Sequence, residues 1–521
     1  MTPGGLRAVA LGALLASACA RPPVTRAPPA APSAVADASG TSHAALPPAS
    51  SINPETRLSR LAAVVDRVLA ERAFERATTA FVAQSLATGE TLYQRHGRTW
   101  LVPASTMKVL TTVAAAARLG WGYRFETRLV AMGPVVNGTL RGDLLVVGTG
   151  DPTINPRHPE RMTAFDEWAQ ALKAQGIRHI AGNIVGDDSA VEEPGAGIGW
   201  AWDDLVLGYG AVYGALQFND NEAEVTMGPG TTPGAPPVVY VSPSHHELLL
   251  DVQAVTAPEG TAPLLTVSRM PGTRFLDVTG RAPLGSAPVS DMVAVANPTL
   301  FFAAELRATL MRHGIEVDGA AVDLDEHGER PRAADGTTLL VDLSPPLSAI
   351  VGPMLQWSRN SYAETLVTAL DPVAPASAEE GLVVLRETLG ALGVSSDGYH
   401  ARDGSGLSRN DYLSANALVE TLAAAWARSD LRAPLLAALP EAGRPGTLSR
   451  RLADTPAAGR VHAKTGSMSN VRSLAGYVTT AADEPLVFAF ISNGFDVHGS
   501  EIDARVDELL LALVALAPVP E

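Results

Sequence analysis

The sequence has few residue types that cross-link a chain or bind polyanions. Cys19 is the only cysteine among 521 residues, and aromatic residues make up 5%. One thiol cannot form a disulfide within the chain, so packing alone must stabilise the fold. Lys and Arg number 39 against 55 Asp and Glu, which gives a formal net charge of −16. A surface of that sign repels a phosphate backbone, so we expect no nucleic-acid partner.

The apolar runs at the two ends of the chain are both short. Residues 8–15 follow Arg7 and precede three small residues, which is the order of regions in a secretory signal peptide. This run is too short to span a bilayer. We therefore predict a signal peptide over residues 1–19 and a periplasmic or other cell-envelope location. For the apolar run 509–517 we favour a core helix over a membrane-associating one.

Cys19 directly follows the predicted cleavage region, and two interpretations of it stay open. Residues 15–19 resemble a lipobox, in which the cysteine is diacylated and becomes the mature N-terminus. Residues 16–18 also suit ordinary signal peptidase, and Ala16 stands where a lipobox usually has Leu. Residues 20–50 are dominated by Ala, Pro and Ser, which predicts a linker that does not fold. Such a linker would suit a membrane tether through Cys19.

The remaining composition is that of a globular protein, with 46% hydrophobic and 18% charged residues. The length allows two or three domains. Apolar spacing predicts helices near both ends and a convincing strand pair near the C-terminus, at 58–70, 105–119, 347–357, 474–479 and 486–492. Short β-rich runs with many Gly and Pro occupy the middle, and residues 179–185 are predicted as one of these strands. We predict an α/β (α+β) fold, with one domain built from residues 51–124 and 337–521. Residues 125–336 would form an inserted β-rich region of two nested domains.

Three short motifs occur in order: Ser105-Thr106-Met107-Lys108, Ser358-Arg359-Asn360 and Lys464-Thr465-Gly466. A serine hydroxyl needs an adjacent base to act as a nucleophile. Helix positions i and i+3 share a face, so the Lys108 amine should reach the Ser105 hydroxyl. At a helix N-terminus the Ser105 N–H suits an oxyanion hole. A lysine acts as a base only where burial or a nearby cation lowers its pKa, and Lys464 could be that cation.

The second and third motifs have side chains suited to holding a substrate. The Ser358 hydroxyl and Asn360 amide can pass a proton to a leaving amine and hold a substrate backbone. Thr465 and Ser467, on a predicted edge strand, can hydrogen-bond a terminal carboxylate that Lys464 also attracts. Gly466 between them would permit close approach of a substrate backbone.

The three motifs match the S-x-x-K, S-x-N and K-T-G set of penicillin-binding proteins and serine β-lactamases. Beyond them, the chain resembles the class C low-molecular-mass penicillin-binding proteins, the D-alanyl-D-alanine carboxypeptidase/endopeptidase family. About 250 residues separate Ser105 from Ser358; this family has two extra domains there, whereas a class A β-lactamase has only a small helical region. The matching stretches are Pro103-Ala104-Ser105-Thr106-Met107-Lys108, Gly148-Thr149-Gly150-Asp151-Pro152, Ser358-Arg359-Asn360-Ser361-Tyr362-Ala363-Glu364, Asp403-Gly404-Ser405-Gly406-Leu407-Ser408-Arg409 and His462-Ala463-Lys464-Thr465-Gly466-Ser467.

The resemblance implies a serine β-lactamase/DD-peptidase-like transpeptidase fold, an antiparallel sheet flanked by helices with a large β-rich two-domain insertion. It implies Ser105 as nucleophile and Lys108 as base, with Ser358 and Asn360 in proton transfer and substrate holding. It also implies carboxylate binding and an oxyanion hole formed by the Ser105 and Ser467 N–H groups. Arg359 stands where the family often has Asp or Asn. The remaining substrate-binding residues are Lys464, Thr465, Gly466, Ser467 and, lining the cleft, Arg409.

We therefore expect a serine-type D-Ala-D-Ala carboxypeptidase that acts on peptidoglycan stem peptides, with endopeptidase action as the same chemistry. β-Lactam antibiotics would acylate it covalently. No cofactor is expected, and no metal, since His245-His246-Glu247 lacks the spacing of a zinc site. Two alternatives stay open: a serine β-lactamase or esterase, and a non-catalytic cell-envelope binding lipoprotein. The sequence leaves the oligomeric state open.

Overall fold

The computed structural model describes residues 54–158, 161–192, 195, 197–371 and 373–517. The predicted signal peptide, Cys19 and the linker over residues 20–50 lie outside the described residues, so they stay predictions. The described chain divides into a body, residues 54–119 and 347–514, and an insert, residues 126–343, named here by the elements they contain.

The first part of the body supplies two helices and two strands. The apolar spacing of the first helix places Leu61, Val65 and Val68 on a buried face. Gly89, with φ +75°, forms the turn between the two strands. The elements are α1 (Pro54–Leu69), β1 (Thr78–Ser85), β2 (Thr91–Arg95) and α2 (Met107–Leu119).

The insert is rich in short strands, as its Gly and Pro content predicts. Its elements are β3 (Glu126–Met132), β4 (Val135–Val136), β5 (Thr139–Leu140), β6 (Asp143–Val147), α3 (Ala164–Ala174), β7 (His179–Ile180), β8 (Ile184–Asp187), β9 (Glu222–Gly228), β10 (Val238–Ser242), β11 (Leu249–Val252), β12 (Val255–Ala257), β13 (Leu264–Ser268), β14 (Phe275–Pro283), β15 (Val289–Ala294), α4 (Pro298–Arg312), β16 (Glu316–Val317), β17 (Ala321–Asp323) and β18 (Thr337–Leu343).

The strands of the insert form four sheets in the described residues, in the orders β17-β8-β6-β3-β18, β16-β7-β5-β4, β10-β9-β15 and β11-β14-β12 with β13 beside β14. The first and last strands, β3 and β18, pair antiparallel along their length, so the chain enters and leaves the insert side by side. The domain boundaries predicted at residues 124/125 and 336/337 stay predictions.

The second part of the body is mostly helical until its last three long strands. Its elements are α5 (Leu347–Gln356), α6 (Asn360–Thr368), α7 (Ala378–Ala391), β19 (Tyr399–His400), β20 (Tyr412–Leu413), α8 (Ala415–Ala427), α9 (Ser429–Ala438), β21 (Val461–Met468), β22 (Val471–Thr479), β23 (Pro485–Asn493) and α10 (Gly499–Val514).

One antiparallel sheet joins the two parts of the body, in the order β2-β1-β23-β22-β21. β1 pairs with β23, and Phe81 lies opposite Phe490. Apolar cores fill both faces, one with α2 and α5–α9 and the other with α1 and α10. This confirms the predicted fold class, an antiparallel sheet flanked by helices. The motif-bearing elements α2, α6 and β21 therefore converge beside one edge of this sheet.

Two local predictions differ from the structure in instructive ways. Residues 179–185, predicted as one strand, form β7 and β8 in different sheets, because Gly182 between them packs on the Gly142 carbonyl. The helix predicted from Ser105 is preceded by a 3-10 turn, Ala104–Thr106, so α2 begins at Met107. The C-terminal apolar run lies mainly in α10, where Leu509, Leu510 and Leu513 are buried, as predicted. Within the described chain, no helix is both long and apolar enough to cross a membrane.

Candidate active site

Ser105 and Lys108 are in direct contact at the start of α2. Lys108 Nζ donates hydrogen bonds to Ser105 Oγ at 2.9 Å, Asn360 Oδ1 at 2.6 Å and the Ser405 carbonyl at 2.8 Å. The Lys108 side chain is completely buried, with 0% exposure. The acceptors fix the amine beside the hydroxyl, where its neutral form can take the serine proton.

The turn that carries Ser105 is compressed between two glycines. Ala104 has φ +48°, a left-handed conformation. A Cβ on Gly406 would lie 1.9 Å from the Ala104 carbonyl oxygen, and one on Gly466 would lie 2.1 Å from Ser473 Oγ and 3.0 Å from Ser105 N. From the sequence we explained the glycine at position 466 by the close approach of a substrate backbone. The structure shows that the protein's own turn already requires this glycine, because it packs directly on β21.

Ser358 and Lys464 form the second contact of the site. Lys464, also 0% exposed, donates from Nζ to Ser358 Oγ at 2.9 Å and to the Thr465 carbonyl at 2.7 Å. Ser358 has φ +58° and lies between α5 and α6. The sequence suggested Lys464 as the cation beside Lys108; the structure places its ammonium group on the Ser358 hydroxyl. A cation there makes that hydroxyl a better proton donor.

The predicted carboxylate-binding residues lie on β21, the edge strand of the central sheet. Thr465 is half-buried and Ser467 is exposed. Arg409 Nη1 donates to the Ser469 carbonyl at 3.1 Å, so it joins its loop to the turn after β21. The predicted site residues of all three motifs thus form one connected group at this edge.

Arg359, the unusual middle residue of the second motif, points towards the insert. Its guanidinium pairs with Asp220 and lies 5.6 Å from the ring centroid of Tyr362. Arg157 also contacts Asp220, at 2.9 Å. Asp220 lies within three consecutive left-handed residues, 219–221, that present its carboxylate to both arginines. Asn360 makes a second link, because its Nδ2 donates to the Tyr209 carbonyl at 2.7 Å.

Sequence reasoning missed the groups behind Lys108. The Glu364 carboxyl accepts the N–H of Gly404 at 3.0 Å and of Ser405 at 2.8 Å. Burial and then the nearby Asp403 raise the pKa of Glu364 to about 8. The signal was present, because Glu364 follows Asn360 by four residues and so shares its helix face. A carboxyl on that face of a buried helix is a candidate functional residue.

Comparison with known proteins identifies the family. The model of the D-Ala-D-Ala carboxypeptidase 3 (S13) family matches residues 61–513. A D-alanyl-D-alanine carboxypeptidase of an Actinomadura species is 33% identical over 456 residues, 84% of this chain and 82% of that protein. The crystal structure of penicillin binding protein 4 (dacB) from Haemophilus influenzae aligns with a TM-score of 0.74 at 28% identity, over 86% of this chain and 98% of that chain. The same protein complexed with a novel beta-lactam aligns with a TM-score of 0.69 at 28% identity, over 88% and 98%.

These matches include the insert as well as the body, since the family model runs without interruption from α1 to α10. The long separation between Ser105 and Ser358 is therefore a property of the family, and the predicted resemblance is confirmed. The chain belongs to the D-Ala-D-Ala carboxypeptidase 3 (S13) family.

Proposed function

We propose that this protein is a serine-type D-Ala-D-Ala carboxypeptidase that cleaves peptidoglycan stem peptides through an acyl-enzyme on Ser105. The observation that carries the proposal is the contact between the buried Lys108 Nζ and Ser105 Oγ, at 2.9 Å. Membership of the S13 family supports the substrate class. The hydroxyls on β21 support it too, because they suit the free carboxylate that ends such a peptide.

Acylation follows from these contacts. The neutral Lys108 amine accepts the Ser105 proton while Oγ attacks the carbonyl carbon between the two D-alanines. The oxygen that becomes negative is stabilised by the Ser105 and Ser467 N–H groups. The C–N bond then breaks as the Ser358 hydroxyl, polarised by Lys464, gives its proton to the leaving D-alanine amine. Ser358 regains a proton from Lys108 through the polar groups of the site.

Deacylation uses the same residues with water as the nucleophile. Lys108, neutral again after passing on its proton, accepts one from water, and the hydroxide attacks the ester carbon. The ester C–O bond breaks, Ser105 recovers its proton, and the shortened peptide leaves. Endopeptidase action on cross-links is the same reaction with a different amine as the leaving group.

A β-lactam reacts by the same first step, because its strained amide carbonyl takes the place of the peptide carbonyl. The Haemophilus influenzae neighbour, whose structure was solved in complex with a beta-lactam, supports this extension. The leaving nitrogen of a β-lactam stays attached to the acyl group, so it can block the water of deacylation. We therefore expect covalent labelling rather than rapid turnover.

We also propose that the protein is exported and acts in the periplasm or elsewhere in the cell envelope. Residues 1–19 support this by their order of basic, apolar and small residues. The substrate class supports it as well, since peptidoglycan is built outside the cytoplasmic membrane. Mass spectrometry of the mature N-terminus tests the two interpretations of Cys19: a diacylated cysteine supports the tether, and an unmodified N-terminus contradicts it.

The central experiment treats purified protein with a fluorescent penicillin and, separately, with a peptide ending in D-Ala-D-Ala. We expect labelling and D-alanine release from the wild type, and neither from Ser105→Ala. Ser290→Ala is the matched control, because Ser290 is a hydrogen-bonded serine of the insert; it should retain both signals. A folded wild type that gives neither signal contradicts the proposal. Rapid hydrolysis of a chromogenic cephalosporin favours the β-lactamase alternative, and product analysis of digested peptidoglycan separates carboxypeptidase from endopeptidase action.

A further inference from the structure

Residues 403–408, the 403–408 loop, are packed tightly between α6 and the turn that carries Ser105. A Cβ on Gly404 would lie 2.6 Å from the Ala363 carbonyl oxygen of α6. On the other side, the loop meets the Ala104 carbonyl through Gly406, as described above. Thr111 Oγ1 also donates to the Gly404 carbonyl at 2.7 Å. The loop therefore cannot shift without moving the elements on both sides of it.

Ser405 connects Glu364 to the catalytic lysine through its backbone. Its N–H donates to Glu364 Oε1 at 2.8 Å, and its carbonyl accepts Lys108 Nζ at 2.8 Å. The Gly404 N–H donates to the other Glu364 oxygen at 3.0 Å. A carboxylate that accepts two successive N–H groups fixes both the position and the orientation of that backbone. The Ser405 carbonyl is one of the acceptors that determine where the Lys108 amine lies.

Two further carboxyl groups lie behind Glu364 in the same buried region. Asp403 accepts the N–H groups of Gly406 and Ser408, each at 2.6 Å, and Trp200 Nε1 at 2.9 Å. Asp411 accepts the Arg402 N–H at 2.6 Å. Burial, then the charge of Asp403, raises the pKa of Asp411 well above its usual range. Burial and the nearby charge of Asp403 thus raise the pKa values of both Glu364 and Asp411, which favours their neutral forms.

We propose that Glu364 is a positioning residue of the acylation reaction, which holds the Ser405 carbonyl against Lys108 Nζ and couples the protonation of that amine to the acidic cluster behind it. The inference rests on the proposed function, since it assigns a role in the same reaction. The charged and titratable groups that act on Glu364 are Lys108 from α2, Asp403 and Asp411 from the loop region, and Tyr213 from the insert.

The coupling follows from the reciprocity of electrostatic interactions. The positive charge of Lys108 lowers the pKa of Glu364, although burial and Asp403 outweigh it and leave that pKa at about 8. An ionised Glu364 must therefore stabilise the ammonium form of Lys108 to the same extent. An ammonium group cannot accept the Ser105 proton. The neutral form of Glu364 thus favours acylation, and its ionisation at alkaline pH opposes it.

The test measures the second-order rate constant of acylation by a fluorescent penicillin from pH 6 to pH 9.5, for wild type, Glu364→Gln and Glu364→Asp. Gln can accept one N–H but not both, so we expect Glu364→Gln to acylate about tenfold to a hundredfold more slowly at neutral pH. The ratio of the Glu364→Gln rate to the wild-type rate should then rise as the pH passes through about 8. Of these two proteins, only the wild type gains a negative charge at position 364 in that range. Glu364→Asp keeps the charge, so its ratio to wild type should stay flat.

A matched control is Glu305→Gln, because Glu305 is another buried glutamate that accepts a backbone N–H, from His245 of the insert. It should leave the rate and its pH dependence unchanged. A purely structural role for Glu364 predicts a Glu364→Gln ratio that does not vary with pH, and that result overturns the inference. Absence of acylation in the wild type itself overturns the proposed function instead.

A second variant keeps the inference testable where Glu364→Gln fails to fold. Asp403→Asn removes the charge that, after burial, does most to raise the pKa of Glu364, and it leaves both Glu364 contacts in place. With less repulsion, Glu364 should ionise at a lower pH, so the alkaline fall in acylation should begin at a lower pH than in the wild type. An alkaline fall at the wild-type pH contradicts the coupling.

Discussion

Two buried clusters of charged groups, one around Arg161 in the insert and one around Lys108 in the body, are arranged in different ways. In the insert, Arg161 lies between Asp151 and Asp342, and its side chain is 8% exposed. Opposite charges alternate there. In the body, Glu364 is crowded by two other carboxyls, and Lys108 contacts a hydroxyl, an amide oxygen and a backbone carbonyl. Carboxyl groups of like charge lie close together there, and the Lys108 amine contacts dipolar oxygen atoms.

The difference separates two uses of a buried charge. In a buried opposite-charge pair the partner's charge opposes the effect of burial: Arg161 lowers the pKa of Asp151, although burial still leaves that pKa raised, and the pair holds two elements together. A crowded group of like charge is under-compensated, and its members move towards neutrality, where proton transfer is easy. The raised pKa values of Glu364 and Asp411 are of this second kind. We therefore expect the Arg161 cluster to stabilise the insert and the Lys108 cluster to support proton transfer.

Replacing Lys108, the proposed base, should have the largest effect on function. Lys108→Met keeps the buried volume and removes the amine, so we expect acylation to fall by about a thousandfold to ten-thousandfold. Thermal unfolding should change little, because an apolar side chain suits a completely buried position. Stopped-flow acylation and calorimetry measure the two effects. Lys173→Met, which removes a lysine that donates to the His313 carbonyl in the insert, is the control and should leave acylation intact.

Removing Arg161, the shared cation of Asp151 and Asp342 in the insert, should lower stability and leave acylation unchanged. Arg161→Met leaves two buried carboxylates without their shared cation, so the free energy of unfolding should fall by about 3–5 kcal/mol. Acylation by the molecules that remain folded should be unchanged. Urea denaturation and active-site titration measure these quantities. A loss of acylation without a loss of stability would contradict the division between the two regions.

Arg359 belongs to the body and pairs with Asp220 of the insert. Its replacement should therefore lower both acylation and stability, each by a smaller amount. Arg359→Asn removes the ion pair with Asp220, so we expect acylation to fall by about threefold to tenfold and stability by about 1–2 kcal/mol. The double variant with Asp220→Asn should lose less than the sum of the single variants, because each single change already breaks the Arg359–Asp220 pair. Strict additivity would show that the two side chains do not act together.

The pH dependence of stability provides a further test of the comparison. The folded-state pKa of Glu364, about 8, lies above its usual value of 4.5, so between these values the folded protein binds more protons than the unfolded chain. The free energy of unfolding should therefore fall as pH rises through this range. Glu364→Gln should flatten the fall, whereas Arg161→Met should not. Denaturant midpoints at pH 5 and pH 8 measure it.

Local spacing was enough to predict the parts of the site that one helix or strand determines. The Ser105–Lys108 contact follows from positions i and i+3, and the strand pair β22 and β23 follows from alternation. The partners of Lys464 and Arg359 could not be predicted in this way, because Ser358 and Asp220 come from distant segments. Their positions depend on how α6, β21 and the turn at 219–221 pack, and single-sequence periodicity carries no information on that. The role of Glu364 was hidden for the same reason, since Ser405 lies 41 residues away.

The pairing of β1 with β23 constrains the order in which the body can fold. The middle strand of the sheet, β23, is almost the last element of the chain, while its neighbour β1 is almost the first. As the chain folds, the insert can complete its own core before β23 pairs with β1, but the sheet of the body cannot close until then. Ser105 therefore meets Lys464 and Ser358 in their final arrangement only when the two ends of the chain have folded together.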